Sequence, residues 1–204
     1  MARLSGGMLV GYMSIVVLAG VIASYFLVTA PQRRMRRVLK ELSTVEVGST
    51  TIQSWRSRMR AAKLDPSSLT CQGGTCRFSQ KVQVKALSRL RLAPASIIST
   101  YLTFNDGIAS EIYVWFEIDD QRAGKTMQPG TGATVHETQQ SRSCPQHYCT
   151  YVTDRGGYRW AVIEIDSAAS PDDRAKAFGI DIGCLTKFGG CRSARALLPQ
   201  AFGK

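Results

Sequence analysis

The stretch that sets the architecture of this chain is Leu4–Gln32, LSGGMLVGYMSIVVLAGVIASYFLVTAPQ, which carries no charged side chain. Its apolar centre, Met8–Val28, matches the roughly 20 residues that a helix needs to cross the hydrocarbon core of a bilayer. We therefore predict a transmembrane helix at residues 8–30, preceded by a short tail at residues 1–7 and followed by a domain that lies beside a membrane.

A cleaved signal peptide is the alternative interpretation of this stretch. Arg3 gives it a short positive start, and Val28–Ala30 places small residues near a cleavage position. The apolar run exceeds the roughly 7–15 residues of a signal-peptide core, and Pro31 directly follows that cleavage position. These two features favour a retained anchor.

The positive charge of the chain lies next to the anchor. Residues 33–91 hold 14 Lys or Arg against three acids (+11), residues 92–204 hold 11 against 12 (−1), and Arg3 adds +1, giving the net charge of +11. This distribution predicts a surface that faces anionic lipid. The predicted lipid-facing residues are Arg33, Arg34, Arg36, Arg37 and Lys40.

Two other interpretations of this charge stay open. A solvated basic helix without lipid contact explains it nearly as well. Nucleic-acid binding has little support, because few aromatic side chains interleave with these charges and the domain would have to be cytoplasmic.

The six cysteines form three close pairs, Cys71/Cys76, Cys144/Cys149 and Cys184/Cys191. Close pairs in even number are typical of disulfides in an oxidising compartment, although six cysteines allow about 15 pairings. The arginines directly after the anchor predict the opposite, a cytoplasmic domain, by the positive-inside rule. We favour an extracytoplasmic domain, since three such pairs are hard to explain in a reducing compartment without a metal.

Apolar periodicity predicts helices at both ends of the domain. Val38, Leu39, Leu42 and Val45 recur at spacings of three and four, which predicts a basic juxtamembrane helix at residues 31–47. A turn at Val47–Thr51 with a hydroxyl N-cap then precedes a second helix, whose buried face is predicted as Ile52, Trp55, Met59 and Ala62. Ser170–Asp173 predicts the start of a C-terminal helix with Ala175, Phe178, Ile182 and Leu185 buried and a stop at Gly189–Gly190.

Alternating patterns between these helices predict strands. Asn105–Gly107 is the strongest hairpin signal. The strand after it is predicted to place Ile108, Ile112, Val114, Phe116 and Ile118 on one face and Glu111, Tyr113, Trp115 and Glu117 on the other. Further strands are predicted at Cys76–Lys85, Ser96–Phe104, Ala133–Gln139, Tyr148–Thr153 and Tyr158–Ile165. The predicted fold is α+β: a transmembrane helix, then one domain at residues 48–204 with a mainly antiparallel sheet of five to six strands packed with N- and C-terminal helices.

One cluster has the composition of a metal site. His136, Cys144, His147 and Cys149 include both histidines of the chain and would suit tetrahedral zinc if a strand brought His136 to the cysteine loop. The Cys-x2-His-x-Cys spacing is tighter than that of structural zinc sites. A disulfide with ordinary surface histidines is therefore the favoured interpretation, and no cofactor is predicted.

The sequence contains no recognised hydrolase, phosphate-loop or Cys-x-x-Cys redox motif, so no catalytic residue is assigned. Glu111 with Glu117, or Asp119 with Asp120, are carboxylates for which exposed strand-end charges are the simpler interpretation. Tyr101, Tyr113 and Trp115 predict an aromatic strip on the less apolar sheet face, which we expect helices to cover.

The order of anchor, basic helix and Val47–Thr51 turn resembles uncharacterised single-anchor exported proteins of bacteria. The Gly48–Thr51 segment entering a helix also resembles small lipoproteins and β-lactamase-inhibitor-like domains, but no lipidation cysteine follows the anchor. We transfer no function from these resemblances. The expected function is a membrane-tethered extracytoplasmic module of the bacterial envelope that binds or scaffolds a protein partner. An envelope enzyme without a recognisable motif and a metal-binding module remain alternatives.

Overall fold

The computed structural model describes residues 6–84, 95–119, 131–141, 143–155, 158–186, 191 and 194–202. Its α-helices are α1 (Gly6–Ser43), α2 (Ile52–Ala61), α3 (Pro171–Phe178) and α4 (Pro199–Phe202), with 3-10 turns at Pro66–Ser68, Ile182–Thr186 and Ala194–Leu197. The strands are β1 (Leu69–Gln72), β2 (Thr75–Val84), β3 (Ala95–Asn105), β4 (Ile108–Asp119), β5 (Thr131–Thr138), β6 (Tyr148–Arg155) and β7 (Tyr158–Asp166).

All seven strands belong to one sheet in the order β1-β2-β3-β4-β5-β7-β6. Every neighbouring pair is antiparallel except β5 and β7, which run parallel. The chain reaches this arrangement because β6 takes the edge and β7 returns between it and β5. The α+β class and the mostly antiparallel sheet are confirmed, but the sheet has more strands than the five to six predicted.

The additional strand is β1, which no pattern in the sequence predicts. It has only four residues and pairs with β2 across the Gly73–Gly74 turn, with Cys71 directly opposite Cys76. Its residues are half-buried or exposed, so the alternation of apolar and polar side chains that marks a strand is absent.

One face of the sheet carries the hydrophobic core. Ile112, Val114 and Phe116 of β4 are at most 1% exposed, and they belong to one buried cluster with α1 and α2. The rings of Phe78 on β2 and Trp55 on α2 pack at 71° to each other, with their centroids 5.1 Å apart. The described helices therefore lie on this face, the core face.

Helix α1 passes without interruption from the apolar stretch into the domain. It has 38 residues and includes Pro31, so at about 1.5 Å per residue it is about 57 Å long. Among the described residues it is the one helix long and apolar enough to cross a membrane, and none of its apolar window is buried. The helix ends at Ser43, earlier than the predicted 47, and Val45 and Val47 are buried beyond its end.

Helix α2 matches its prediction closely. Thr51 is the N-cap and accepts a hydrogen bond from the backbone N–H of Ser54. Ile52, Trp55 and Met59 are its buried residues. Spacings of three and four place them on one helical face.

The predicted hairpin between β3 and β4 is confirmed, with positive φ at both Asp106 and Gly107 as a type I′ turn requires. One position is wrong: Ile108 is 40% exposed, whereas Ala109 is fully buried. The register shifts between Thr103 and Phe104, so an additional residue of β4 interrupts the alternation near the turn.

The C-terminal helix is shorter than predicted. Ser170 caps α3 as expected, but the helix ends at Phe178 with Gly179 as its C-cap, and Ile182 and Leu185 belong to a separate 3-10 turn. Ala177 is buried where Ala175 was predicted, because Arg174 occupies the side of α3 that faces the domain. The predicted stop at Gly189–Gly190 lies outside the described residues, as do residues 1–5 of the predicted tail.

Candidate functional site

The sheet face opposite the core face bears aromatic and acidic side chains, and we call it the open face. Nine of its described residues, from β3, β4, β5, β6 and β7, are aromatic, acidic or histidine, and most are half-buried. They are Tyr101, Glu111, Tyr113, Trp115, Glu117, His136, Tyr151, Trp160 and Glu164. The helices described above pack on the other side of the sheet, so the covering of the predicted aromatic strip by helices is not observed within the described chain.

Five rings lie side by side across the open face. Tyr101 and Tyr113 are opposite each other on β3 and β4, with centroids 6.3 Å apart. Tyr113 meets the imidazole of His136 edge-on at 5.5 Å. Trp115 and Trp160 lie 5.8 Å apart with an angle of 33° between their planes. These separations are within the range of favourable aromatic pairs.

Gly132 makes room for the Trp160 ring. A Cβ atom at position 132 would lie 2.1 Å from Cζ3 of Trp160, a separation that no real side chain tolerates. Gly132 and Trp160 are paired in register on β5 and β7. The indole of Trp160 therefore covers β5 at Gly132, the one position of that strand without a side chain. Together with Trp115 of β4 it forms an aromatic platform of two indoles.

The register between β4 and β5 sets the position of Glu111. Register along β4 places Glu111 opposite Thr138 and Tyr113 opposite His136, so Glu111 is diagonal to the histidine. Its Oε1 lies 2.8 Å from Nε2 of His136. The hydrogen bond from His136 lowers the pKa of the Glu111 carboxyl against the opposing effect of burial. Glu111 and Glu117 are six residues apart on one strand, about 20 Å, so they do not form a carboxylate pair.

Glu164 is surrounded by hydroxyl donors. The Tyr151 hydroxyl donates to its Oε1 at 2.7 Å, and the hydroxyls of Ser143 and Ser141 donate to Oε2. Burial opposes ionisation here, but these hydrogen bonds outweigh it and lower the pKa of Glu164. Burial and the bond to Glu164 together raise the pKa of Tyr151 to about 12. Glu164 is thus a carboxylate whose described hydrogen-bond partners are neutral.

A second feature is a groove of about 560 Å³ on the core side, lined among others by Glu46, Glu137, Asp166 and Arg174. Arg174 of α3 forms an ion pair at 2.8 Å with Glu137 of β5, which is 2% exposed. The same guanidinium donates to the carbonyls of Ser43 and Val45 at the end of α1. Burial raises the pKa of Glu137, and Arg174 offsets part of this effect. The guanidinium of Arg174 is occupied by Glu137 and by two backbone carbonyls, so we interpret this groove as a structural contact between α1, β5 and α3.

The predicted lipid-facing residues Arg33, Arg34, Arg36, Arg37 and Lys40 are all exposed on α1. The other face of the same part of α1 is buried and consists of Gln32, Met35, Val38, Leu39 and Leu42. Arg34 donates to Gln80 at 3.0 Å, and Arg37 donates to the carbonyl of Ala62. None of the five basic residues forms an ion pair with a carboxylate among the described residues.

The three cysteine pairs are disulfide-bonded as neighbours: Cys71–Cys76, Cys144–Cys149 and Cys184–Cys191. The four residues of the zinc hypothesis are therefore not assembled as a site here. Cys144 and Cys149 are bonded to each other, His136 pairs with Glu111, and His147 pairs with Asp166 at 3.0 Å. A disulfide sulfur is not a thiolate ligand, so zinc would require the reduced protein.

Sequence reasoning missed part of the open face. The sequence pattern places Trp160 and Glu164 in a strand, but it does not assign either residue to a face of the sheet. Tyr151 belongs to β6, the strand at the edge of the sheet. The alternation of Trp160, Val162 and Glu164 with the buried Ala161, Ile163 and Ile165 carried that information. What the sequence could not indicate is that β7 lies beside β5. Of the other carboxylate pair raised by the sequence, Asp119 with Asp120, Asp120 lies outside the described residues.

Comparison of this chain with protein-family models, curated proteins and solved structures finds no match. The fold and site therefore define only a class: an α+β domain, joined directly to an apolar helix of membrane-spanning length, with three disulfides and an aromatic, acidic sheet face.

Proposed function

We propose that this chain is a single-pass, membrane-tethered binding module whose α+β domain lies outside the cytoplasm close to the lipid surface. The observation that carries the proposal is the abrupt change in exposure along α1. Tyr25 and Phe26 are 57% and 54% exposed, whereas Gln32 is 7% exposed and Met35 is fully buried. About six residues, or about 9 Å of helix, separate an apolar surface that needs lipid from the packed core of the domain.

A tether of this kind fixes the domain's height and orientation. A flexible linker would let the domain rotate freely, but α1 is one helix, and its buried residues are part of the core. The side-chain amide of Gln32 donates to the carbonyl of Ile182 at 2.9 Å, at the first turn that enters the domain. The sheet is therefore held at a constant angle to the membrane.

The basic residues of α1 are placed to contact lipid headgroups. Arg33 lies over the rings of Tyr25 and Phe26, 5.8 and 5.7 Å from their centroids. Aromatic and basic side chains at the end of an apolar helix are typical of the membrane interface. Each cation near an anionic surface contributes about 1 kcal/mol, so the five together favour a bilayer with anionic lipid.

Disulfide bonding supports the extracytoplasmic orientation. All six cysteines are paired in bonds that persist in oxidising compartments and are rare in the cytosol. The arginine cluster opposes this orientation by the positive-inside rule. We give the cysteines more weight because three separate pairs each reach bonding geometry, whereas an interfacial role in lipid binding accounts for the arginines.

A binding function agrees better with the open face than catalysis does. His136 is hydrogen-bonded to Glu111, which resembles the base and orienting carboxylate of a nucleophilic enzyme. Among the described residues, however, no hydroxyl or thiol is hydrogen-bonded to His136, so the pair activates no nucleophile there. The envelope enzyme considered from the sequence remains the second hypothesis.

The mass of the full chain tests the proposal if cells are lysed in the presence of an alkylating agent and the protein is kept unreduced. We expect no alkyl adduct, and six adducts after reduction. Alkylation of all six cysteines in the unreduced sample would contradict an oxidising compartment and would reopen the zinc hypothesis.

A further inference from the structure

We propose that the open face binds an extended, basic segment of a partner protein, with one cationic side chain at Glu117 and a second, four residues along the segment, at Glu164. This inference names the partner chemistry of the binding module proposed above and rests on that function. It is carried by the arrangement of rings and carboxylates between β4 and β7.

The carboxylates of the open face are only partly compensated. Glu111 is paired with His136 and lies within the electrostatic influence of Arg77. Glu164 accepts hydrogen bonds from neutral hydroxyls and lies within the electrostatic influence of His136, whereas Glu117 has no ion pair with a described residue. Neither carboxylate has a cationic hydrogen-bond partner among the described residues, so each can accept one from an external cation.

Among the described residues, Arg77 and Lys81 of β2 and Arg155 at the end of the edge strand β6 are the basic residues with register positions on the same side of the sheet. Lys81 is opposite Ser99, which in turn is opposite Trp115, so two strand spacings, about 10 Å, separate β2 from β4. Within the part of the chain that the structure describes, the centre of the open face is therefore acidic, although the net charge of the chain is +11. Charge complementarity selects a cationic occupant.

The rings favour the same occupant. An aromatic ring is negative on its face, and a Lys or Arg side chain over Trp is attracted to it. Trp115 and Trp160 form the platform between the two available carboxylates, since Trp160 shares the register row of Glu117 through Gly132. A cation approaching either carboxylate passes over an indole.

The spacing indicates a polypeptide. Glu117 and Glu164 are separated by two strand spacings across the sheet and four residues along it, about 10 Å by 13 Å, or about 16 Å in all. One small cation does not contact both. In an extended segment, side chains at i and i+4 point the same way and stand about 13 Å apart, which two flexible basic side chains extend to the required distance.

The test uses the full chain in nanodiscs of zwitterionic lipid, so that the probe has no anionic lipid to bind. The probe is a heptapeptide of Ser and Gly with Lys at positions two and six. Matched peptides carry the two lysines side by side, or carry Glu instead. Binding is followed by tryptophan fluorescence, since two of the three tryptophans lie on the open face and the third, Trp55, is fully buried.

We expect saturable, salt-sensitive binding of the probe and weaker binding of the adjacent-lysine peptide. Glu117→Gln and Glu164→Gln should each weaken binding about two- to fivefold, as for an exposed ion pair. Trp115→Phe should weaken it less, and the matched control Asp172→Asn, an exposed acid on α3, should leave it unchanged. Unfolding midpoints confirm that each variant is folded.

Three results would overturn the inference. The first is binding of the Glu peptide as tight as that of the Lys probe, and the second is the same affinity for the probe in wild type and in both Gln variants. The third is self-association of the chain without peptide that Glu117→Gln abolishes, which would assign the open face to a second copy of the chain. The nanodisc measurement does not depend on which side of a cell membrane the domain occupies, so a failure to bind the probe leaves the proposed orientation intact. A wrong orientation would likewise leave the peptide-binding result intact.

Discussion

Arg174 of α3 and Glu137 of β5 form a buried ion pair, with Nη2 and Oε2 2.8 Å apart, that also closes the end of α1. The last carbonyls of a helix lack partners within the helix, and the guanidinium donates to the carbonyl of Ser43, the last residue of α1, and to that of Val45, two residues beyond its end. One side chain thus joins α1, the sheet and α3.

We predict that Arg174→Ala lowers the free energy of unfolding by about 3–5 kcal/mol, because it leaves Glu137 charged, buried and unpaired. Arg174→Lys should recover little of this loss, since an ammonium cannot bind the carboxylate in two places and two carbonyls together. Urea unfolding of the full chain in detergent measures the change. The double variant Glu137→Gln/Arg174→Met should lie closer to wild type than Arg174→Ala does.

Lys176→Ala is the matched control. Lys176 pairs with Asp173 at 3.0 Å on the same helix, but the Lys176 side chain is 50% exposed, so its removal should change the stability little. A loss for Arg174→Ala no greater than for Lys176→Ala would contradict the role of Arg174 as a junction.

Gly132→Ala should displace the Trp160 ring. The added methyl group would lie 2.1 Å from the indole, and overpacking of this kind costs about 1–3 kcal/mol. We also expect a red shift of tryptophan emission as Trp160 becomes more exposed. Gly20→Ala, which meets no atom within 4 Å, should leave the emission unchanged and should not lower the stability. An unchanged emission spectrum in Gly132→Ala would show that Trp160 does not lie over position 132.

Tyr151 should titrate at about pH 12, above an ordinary tyrosine, because burial and its hydrogen bond to Glu164 disfavour the phenolate. Ultraviolet absorbance of tyrosinate, compared between wild type and Tyr151→Phe, isolates this step among the seven tyrosines. Glu164→Gln should lower the pKa of Tyr151, since it removes the negative charge while burial remains. A Tyr151 pKa that does not fall in Glu164→Gln would contradict the contact between the two side chains.

Local signals predicted the elements that depend on near neighbours in sequence. The N-caps at Thr51 and Ser170, the turn at Asp106–Gly107 and the neighbour disulfides each involve residues a few positions apart. Their chemistry is complete within a short segment, so the sequence alone was sufficient.

The predictions of burial and of strand faces were wrong or incomplete where contacts between distant segments of the chain decide them. The exposure of Ile108 follows from the register between β3 and β4, and the burial of Ala177 follows from Arg174 reaching a glutamate 37 residues away. The open face depends on β7 entering the sheet beside β5, a parallel pairing that no local pattern encodes. Periodicity identified Tyr113 and Trp115 on one face, but their partners His136 and Trp160 required the strand order.

Arg33 provides a test of the lipid contact. In nanodiscs that contain anionic lipid, the full chain should unfold at a higher temperature than in zwitterionic nanodiscs, and Arg33→Gln should remove about 1 kcal/mol of that increment. Arg56→Gln, the same change at an exposed position of α2, should remove less. High salt should abolish the increment, because it screens exposed charges. Equal effects of the two variants would indicate a solvated basic helix.

The side of the membrane on which the domain lies is the central claim, and a pair of reporters fused after Lys204 measures it in intact bacterial cells. One reporter fluoresces only in the cytoplasm, and the other, a phosphatase, is active only after export. We predict phosphatase activity without fluorescence, as the three disulfides require. Fluorescence without phosphatase activity would place the domain in the cytoplasm, as the arginines after the anchor indicate, and would contradict the proposed function.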